Sequence, residues 1–262
     1  MRMKVRCINC HEQGRVDEHD FVLTDSLSYV FTCNSGHKNV FLLNNHRYEL
    51  LFQMGLNAYN DGYFREAVTN FAAAIERFHE FSIAVLSWEH SKGKLLIEGD
   101  SGSFSYDVID NDFEDEYKKA WKELARQTER QLGAYIMLYL ASFKRHPILI
   151  SNKWVTFRNE IVHKGVFPDQ EKAIGYAKET FDYIKGKLLE LKTEYPNSIQ
   201  QVYSKEIEEY KKENSDIYNG ATLVRYTTFV AFCASDSIDN ITGLDFDDEL
   251  DQSFQYLKLS KE

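Results

Sequence analysis

The chain has 262 residues, 31 lysines and arginines against 41 aspartates and glutamates for a net charge of −10, and an apolar fraction of 43%. That apolar content excludes a disordered chain, and the negative balance means that any contact with nucleic acid needs a local basic patch. Three prolines and thirteen glycines favour long, seldom interrupted helices, and no run of about 18 uncharged apolar residues offers a membrane span.

Residues 1–10 carry charge but no apolar run, so the expectation is a protein without a secretory signal, working in the cytoplasm with its four cysteines reduced. Over residues 1–43 the alternation from Ser28 to Thr32 and the apolar run Val40–Leu43 predict short strands. A segment this small cannot bury a core unaided and needs a staple. Cys7-x2-Cys10 and Cys33-x3-His37 supply paired ligands at both ends of a 22-residue spacer, and Gly36 permits a tight turn in the second pair. His11 and His19 are alternatives to His37. The arrangement resembles a zinc ribbon of the Cys3His type, and the resemblance implies one closed, four-coordinate zinc that serves folding rather than catalysis.

The rest reads as helix. Apolar residues recur at three and four through Leu51, Met54 and Ala58, then through Phe64, Val68, Phe71, Ile75 and Phe78, with a break at Asp61-Gly62. This predicts helices near 45–60 and 63–87. Residues 98–115, acidic and rich in Gly and Ser, read as a loop. Further helices are expected at about 116–146, ended by Pro147, at 149–164, stopped by Gly165, and at 169–195, closed by Pro196. A charged helix follows near 198–214, and residues 215–262 receive no assignment beyond a solvated acidic run, Asp245–Asp251, and a last amphipathic turn or two. Gly55, Ala67, Phe71 and Ala74 match tetratricopeptide spacing, but the pattern does not recur 34 residues later, so no solenoid is expected. Cys233 reads as a small buried hydrophobe, and His79 and His90 as structural. The expected architecture is mainly α: a β module at 1–43, an antiparallel helical bundle at 45–195, and an extension at 196–262.

Arg158-Asn159-Glu160-Ile161-Val162-His163 lies on the predicted fourth helix. Arg6 and His11 share the same spacing, but within the metal knuckle, where such chemistry has no place. The later match has Asn directly after Arg, an apolar helix around it and a glycine stop behind it. There the sequence resembles the HEPN family, whose ribonuclease members carry Arg, four to six residues, then His, often as Arg-Asn-x-x-x-His. The likeness covers about residues 45–195 and implies the helical bundle itself. It also implies metal-independent cleavage of RNA, with no cofactor for catalysis, by attack of a ribose 2′-hydroxyl on its own 3′ phosphate. His163 would move the proton, Arg158 would hold the phosphate, and Asn159 would orient one or the other. Lys153, Lys164 and Arg145, with Lys144 and His146, would supply the positive patch, while Glu76 and Glu80 are expected partners for Arg158.

On an ideal helix Asn159 and His163 share a face, whereas Arg158 and His163 diverge by about 140°. Family members resolve this by dimerising, so a homodimer is implied, as is a toxin or phage-defence role with an antitoxin or regulatory partner. Two other readings stand beside it. One is a non-catalytic scaffold binding a partner protein or a nucleotide, which the charge of −10 favours. The other is a zinc-ribbon nucleic-acid adaptor whose helices only dimerise.

Overall fold

The computed structural model describes residues 1–99, 102–109, 111–213, 222–226 and 230–261. The N-terminal segment pairs β1 (Arg2–Arg6) with β2 (Glu18–Val22) around a one-turn helix, α1 (Ile8–Glu12). A second antiparallel pair follows, β3 (Ser28–Thr32) and β4 (Lys38–Leu43), with Tyr29 opposite Phe41. Met3, Val5, Tyr29, Phe41 and Leu43 form a small buried cluster of their own. The β3–β4 pair agrees with the alternation in the sequence; β1, β2 and α1 add to it.

Helix α2 (Arg47–Asn60) and helix α3 (Phe64–Ser91) form a hairpin closed by Gly62, whose φ of +80° suits the turn. Their close approach depends on Gly55: a Cβ there would meet the ring of Phe71 at 2.3 Å. At 28 residues α3 is the spine of the molecule, and α2, α5 (Thr128–Phe143), α6 (Asn152–Lys164), α7 (Gln170–Glu194) and α8 (Pro196–Glu213) all pack on it. The shared core includes Phe52, Phe71, Phe78, Leu86, Phe181 and Leu188.

Two expectations need correction. Residues 98–115 do not form a loop, because β5 (Lys92–Gly99) and β6 (Gly102–Ile109) pair as an antiparallel hairpin; residues 100, 101 and 110 lie outside the described residues. Phe104, Tyr106 and Val108 fall at every second position, a strand period that the acidic composition hid. The single helix expected at 116–146 is two helices, α4 (Asn111–Leu124) and α5, separated at Gln127, whose backbone is extended. The break lets α4 lay Phe113, Tyr117 and Trp121 toward Trp88 while α5 packs on α3.

Within the unassigned region, β7 (Thr222–Tyr226) joins β4 as a parallel neighbour, followed by α9 (Ile238–Gly243) and α10 (Phe246–Lys261). Residues 215–221 and 227–229 of that region lie outside the described residues. The acidic run opens α10, with Asp247, Asp248 and Glu249 in its first turn near the positive end of the helix. It is not solvated throughout: Glu249 is buried, which pushes its carboxyl up to about 7. Ile199, Val202, Phe232, Ile241 and Phe246 share the core built by α2, α3 and α7. Cys233 is buried, with its thiol pushed up to about 12 by burial. Among the described residues no helix is long and apolar enough to cross a membrane.

His79 on α3 is buried, stacks on Tyr135 and lies 2.8 Å through Nε2 from the Tyr183 hydroxyl. Burial holds its pKa down at about 3. An unfolded histidine titrates near 6.5, so between these values the unfolded chain binds a proton that the folded one does not. This group therefore removes stability as pH falls from about 6.5 toward 3, by up to about 1.4 kcal/mol per pH unit. Urea unfolding across that range should show a shallower acid loss for His79→Asn than for the wild type; identical slopes would contradict the assignment.

Candidate functional site

Cys7 stands at the start of α1 and Cys10 within it, while Cys33 and His37 flank the β3–β4 turn, where Gly36 has a φ of +82°. The four ligand atoms lie within 4.8 Å of one another. Cys10 Sγ and Cys33 Sγ are 3.7 Å apart, and His37 Nδ1 is 3.7, 3.5 and 3.4 Å from the sulfurs of Cys7, Cys10 and Cys33. A tetrahedral ion with the usual metal–sulfur and metal–nitrogen bonds would set these spacings at about 3.8 and 3.6 Å. The cage is therefore already the size of a bound ion, and these residues can hold a metal.

The backbone supports the same chemistry. Burial opposes a Cys33 thiolate, but hydrogen bonds from the backbone at His37 and Ser35 outweigh it and bring the thiol down to about 7. Asp17 props both knuckles: its carbonyl accepts from Cys7 N–H at 3.0 Å and its carboxylate from Asn34 N–H at 2.9 Å. His19 is bound to that carboxylate at 2.8 Å and His11 is exposed, so neither takes the place of His37.

The second set of residues lies on α6. Trp154 packs against Gly175 and the ring of Tyr176 on α7, and Ile161 is buried in the core, which fixes the inward face of the helix. Arg158, beside that face, forms an ion pair with Glu76 of α3 and donates from Nη1 to Asn159 Oδ1 at 2.9 Å. Glu80, the other expected partner, instead pairs with Arg77 at 2.7 Å and accepts from Gln131 at 2.8 Å. His163 is exposed in the last turn, and no side-chain hydrogen bond or ion pair engages it among the described residues. Gly165, at φ +70°, ends the helix, and its N–H and that of Val166 both bond back to Glu160 C=O, the latter at 3.2 Å. Arg158 is thus engaged by Glu76 and Asn159, while His163 stands exposed at the end of the same helix.

The basic residues are dispersed. Lys153 lies over the Trp154 ring at 4.6 Å, Lys164 faces Glu160 at 3.9 Å, and Arg145 is tied to Glu190 of α7 at 3.1 Å. Lys144 and His146 are exposed after α5. Lys172 and Lys178, which no sequence motif marks, join Lys153 around an open cavity of about 660 Å³ between α6, α7 and α10.

Comparison with protein families, with curated proteins and with solved structures found no match to this chain.

The metal cage makes a direct prediction. Elemental analysis of the purified chain should find one metal ion per molecule. Cys10→Ser should lose it and lower the melting temperature, while His19→Gln should keep the ion. Full metal content in Cys10→Ser would contradict the four-ligand assignment.

Proposed function

We propose that the chain is a metal-independent endoribonuclease of the HEPN type, a toxin or phage-defence effector acting as a homodimer, with a structural zinc in its N-terminal module. The observation that carries the reading is the disposition of Arg158, Asn159 and His163 on α6: a guanidinium held in place by a neighbouring helix, and an unengaged imidazole at the helix end.

Holding Arg158 does not exhaust it. Two of its five N–H donors go to Glu76 and Asn159, and the others are available to a phosphate oxygen. Asn159 orients the arginine rather than the histidine. His163 takes the proton from a ribose 2′-hydroxyl, O2′ bonds to phosphorus, and the bond to the 5′ oxygen breaks. That oxygen is protonated by an imidazolium, here assigned to a second copy across a two-fold axis. Arg158 offsets the charge that grows on the phosphate. The products are a 2′,3′-cyclic phosphate and a 5′-hydroxyl. The outward stripe of α6 and its exit, with Val155, Val166 and the 83% exposed Phe167, offers an apolar rim for the second copy. The cage of Cys7, Cys10, Cys33 and His37 suits zinc by its three thiolates and one imidazole, and a closed set of four leaves no position for substrate.

A scaffold reading is favoured by one observation: the Glu76 carboxylate neutralises Arg158. Cleavage assays separate the two. RNA should be cut in the presence of EDTA, whereas DNA, and RNA with a 2′-deoxy group at the scissile nucleotide, should be inert. His163→Ala and Arg158→Ala should each lower the rate by about 10²- to 10⁴-fold, and Asn159→Ala by less. Activity that survives both of the first two substitutions would overturn the mechanism in favour of the scaffold. Sedimentation should give a dimer at micromolar concentration, and a monomer there would remove the composite site.

A further inference from the structure

A second cavity, of about 480 Å³, opens between the metal module and helices α2, α3, α4 and α8, away from Arg158, Asn159 and His163. Its volume lies within the range of small-molecule pockets. Two features of its wall set it apart from the acidic remainder of the chain.

The first is aromatic. Trp88, Tyr117, Trp121 and Phe81 line the cavity. Tyr117 and Trp121, one turn apart on α4, hold their rings within 13° of parallel at a centroid separation of 6.2 Å, and Trp88 stands 6.4 Å from Tyr117. Such platforms accept a planar base whatever its sequence identity.

The second is charge. Arg47, Arg77, Lys118 and Lys205 reach the cavity against only two carboxylates, Glu80 and Glu114. Glu80 is matched by Arg77 at 2.7 Å. Glu114 is shared between Lys118 at 2.9 Å and Lys205 at 2.5 Å, so one carboxylate faces two ammonium groups. Lys205 also lies 3.7 Å from the Trp88 ring centre. Arg47 finds its carboxylate in Asp25, whose side chain is 95% exposed and which does not line the cavity. With Arg77 matched by Glu80 and Arg47 by Asp25, one ammonium beside Glu114 is left in excess, and a phosphate monoester could complete its charge and take the exposed Asp25's place on Arg47.

We propose that this cavity binds a free nucleoside phosphate, its base stacked on the aromatic face of α4 and its phosphate met by the cations around Glu114 and Arg47. The inference is independent of the ribonuclease reading, because it uses none of the residues on the outward face of α6.

Isothermal titration of the full-length protein tests it, with the four nucleoside 5′-monophosphates, adenosine, inorganic phosphate and a 5′-phosphorylated tetradeoxynucleotide as separate titrants. At least one monophosphate should bind saturably, with adenosine and inorganic phosphate each roughly tenfold or more weaker. Trp121→Ala removes a stacking surface and should weaken binding roughly tenfold or more. Lys118→Ala removes a half-exposed ammonium from the wall, and should weaken the monophosphate while leaving adenosine unchanged. No binding of any monophosphate at millimolar concentration would overturn the proposal. So would binding of the tetradeoxynucleotide alone, adenosine binding as tightly as its phosphate, or an undiminished affinity in both variants.

Discussion

One buried carboxylate joins segments of this chain that lie 185 residues apart. Glu49, in the first turn of α2, is fully enclosed, and burial pushes its carboxyl up. Against that stand the charge of His46 and three donors: Ala234 N–H at 2.8 Å, the Asn45 side-chain amide at 3.0 Å and His46 N–H at 3.2 Å. A single side chain thereby joins the exit of the metal module, the start of the helical bundle and the C-terminal segment. Removing it would leave backbone and amide donors unpaired in a closed interior, a larger cost than the loss of the bonds themselves. Phe232 packs beside this joint on Tyr48, Phe52 and Phe181, so the polar anchor and the apolar core reinforce each other.

From that anchor the geometry passes through α2 to α3, and α3 distributes it. Its Glu76 faces Arg158 on α6, while Glu80, one turn on, turns toward Arg77 and the aromatic cavity. Two neighbouring carboxylates on one helix face thus address two separate cation-bearing surfaces. The low accessibility of the Arg158–Glu76 pair, each side chain a quarter exposed, keeps the guanidinium in one orientation at modest desolvation cost. The fold as a whole couples the orientation of α6 to packing far from it, through Trp154 against Gly175 on one flank and Glu76 on the other.

What could be read from the sequence was what is local. The metal ligands are paired within four residues in each knuckle, so spacing alone placed Cys7, Cys10, Cys33 and His37 together. Helices α2, α3, α6 and α7 announced themselves by period and by glycine or proline stops, and Glu76 as a partner for Arg158 followed from its position on the second long helix. The β5–β6 hairpin was hidden because composition spoke for a loop more loudly than the alternation of Phe104, Tyr106 and Val108 spoke for a strand. The pairing of β4 with β7 and the bond from Ala234 to Glu49 had no local signature, since a parallel partner and a buried acceptor lie far away in sequence. The aromatic cavity was invisible for the same reason: its wall is assembled from five segments, none of which carries a motif.

The parallel seam between β4 and β7 has a consequence for how the molecule is made. Residues 38–43 are translated well before their neighbours at 222–226, and Glu49 well before the N–H that it accepts 185 residues away. Until then the metal-binding segment has an open sheet edge and α2 begins on a carboxylate without one of its donors. Contacts of such separation close slowly because loop entropy must be overcome before they contribute. An ion held by the four N-terminal ligands would steady this early segment during the wait, independently of the bundle. The completed joint, in turn, forms only in a chain translated past Ala234.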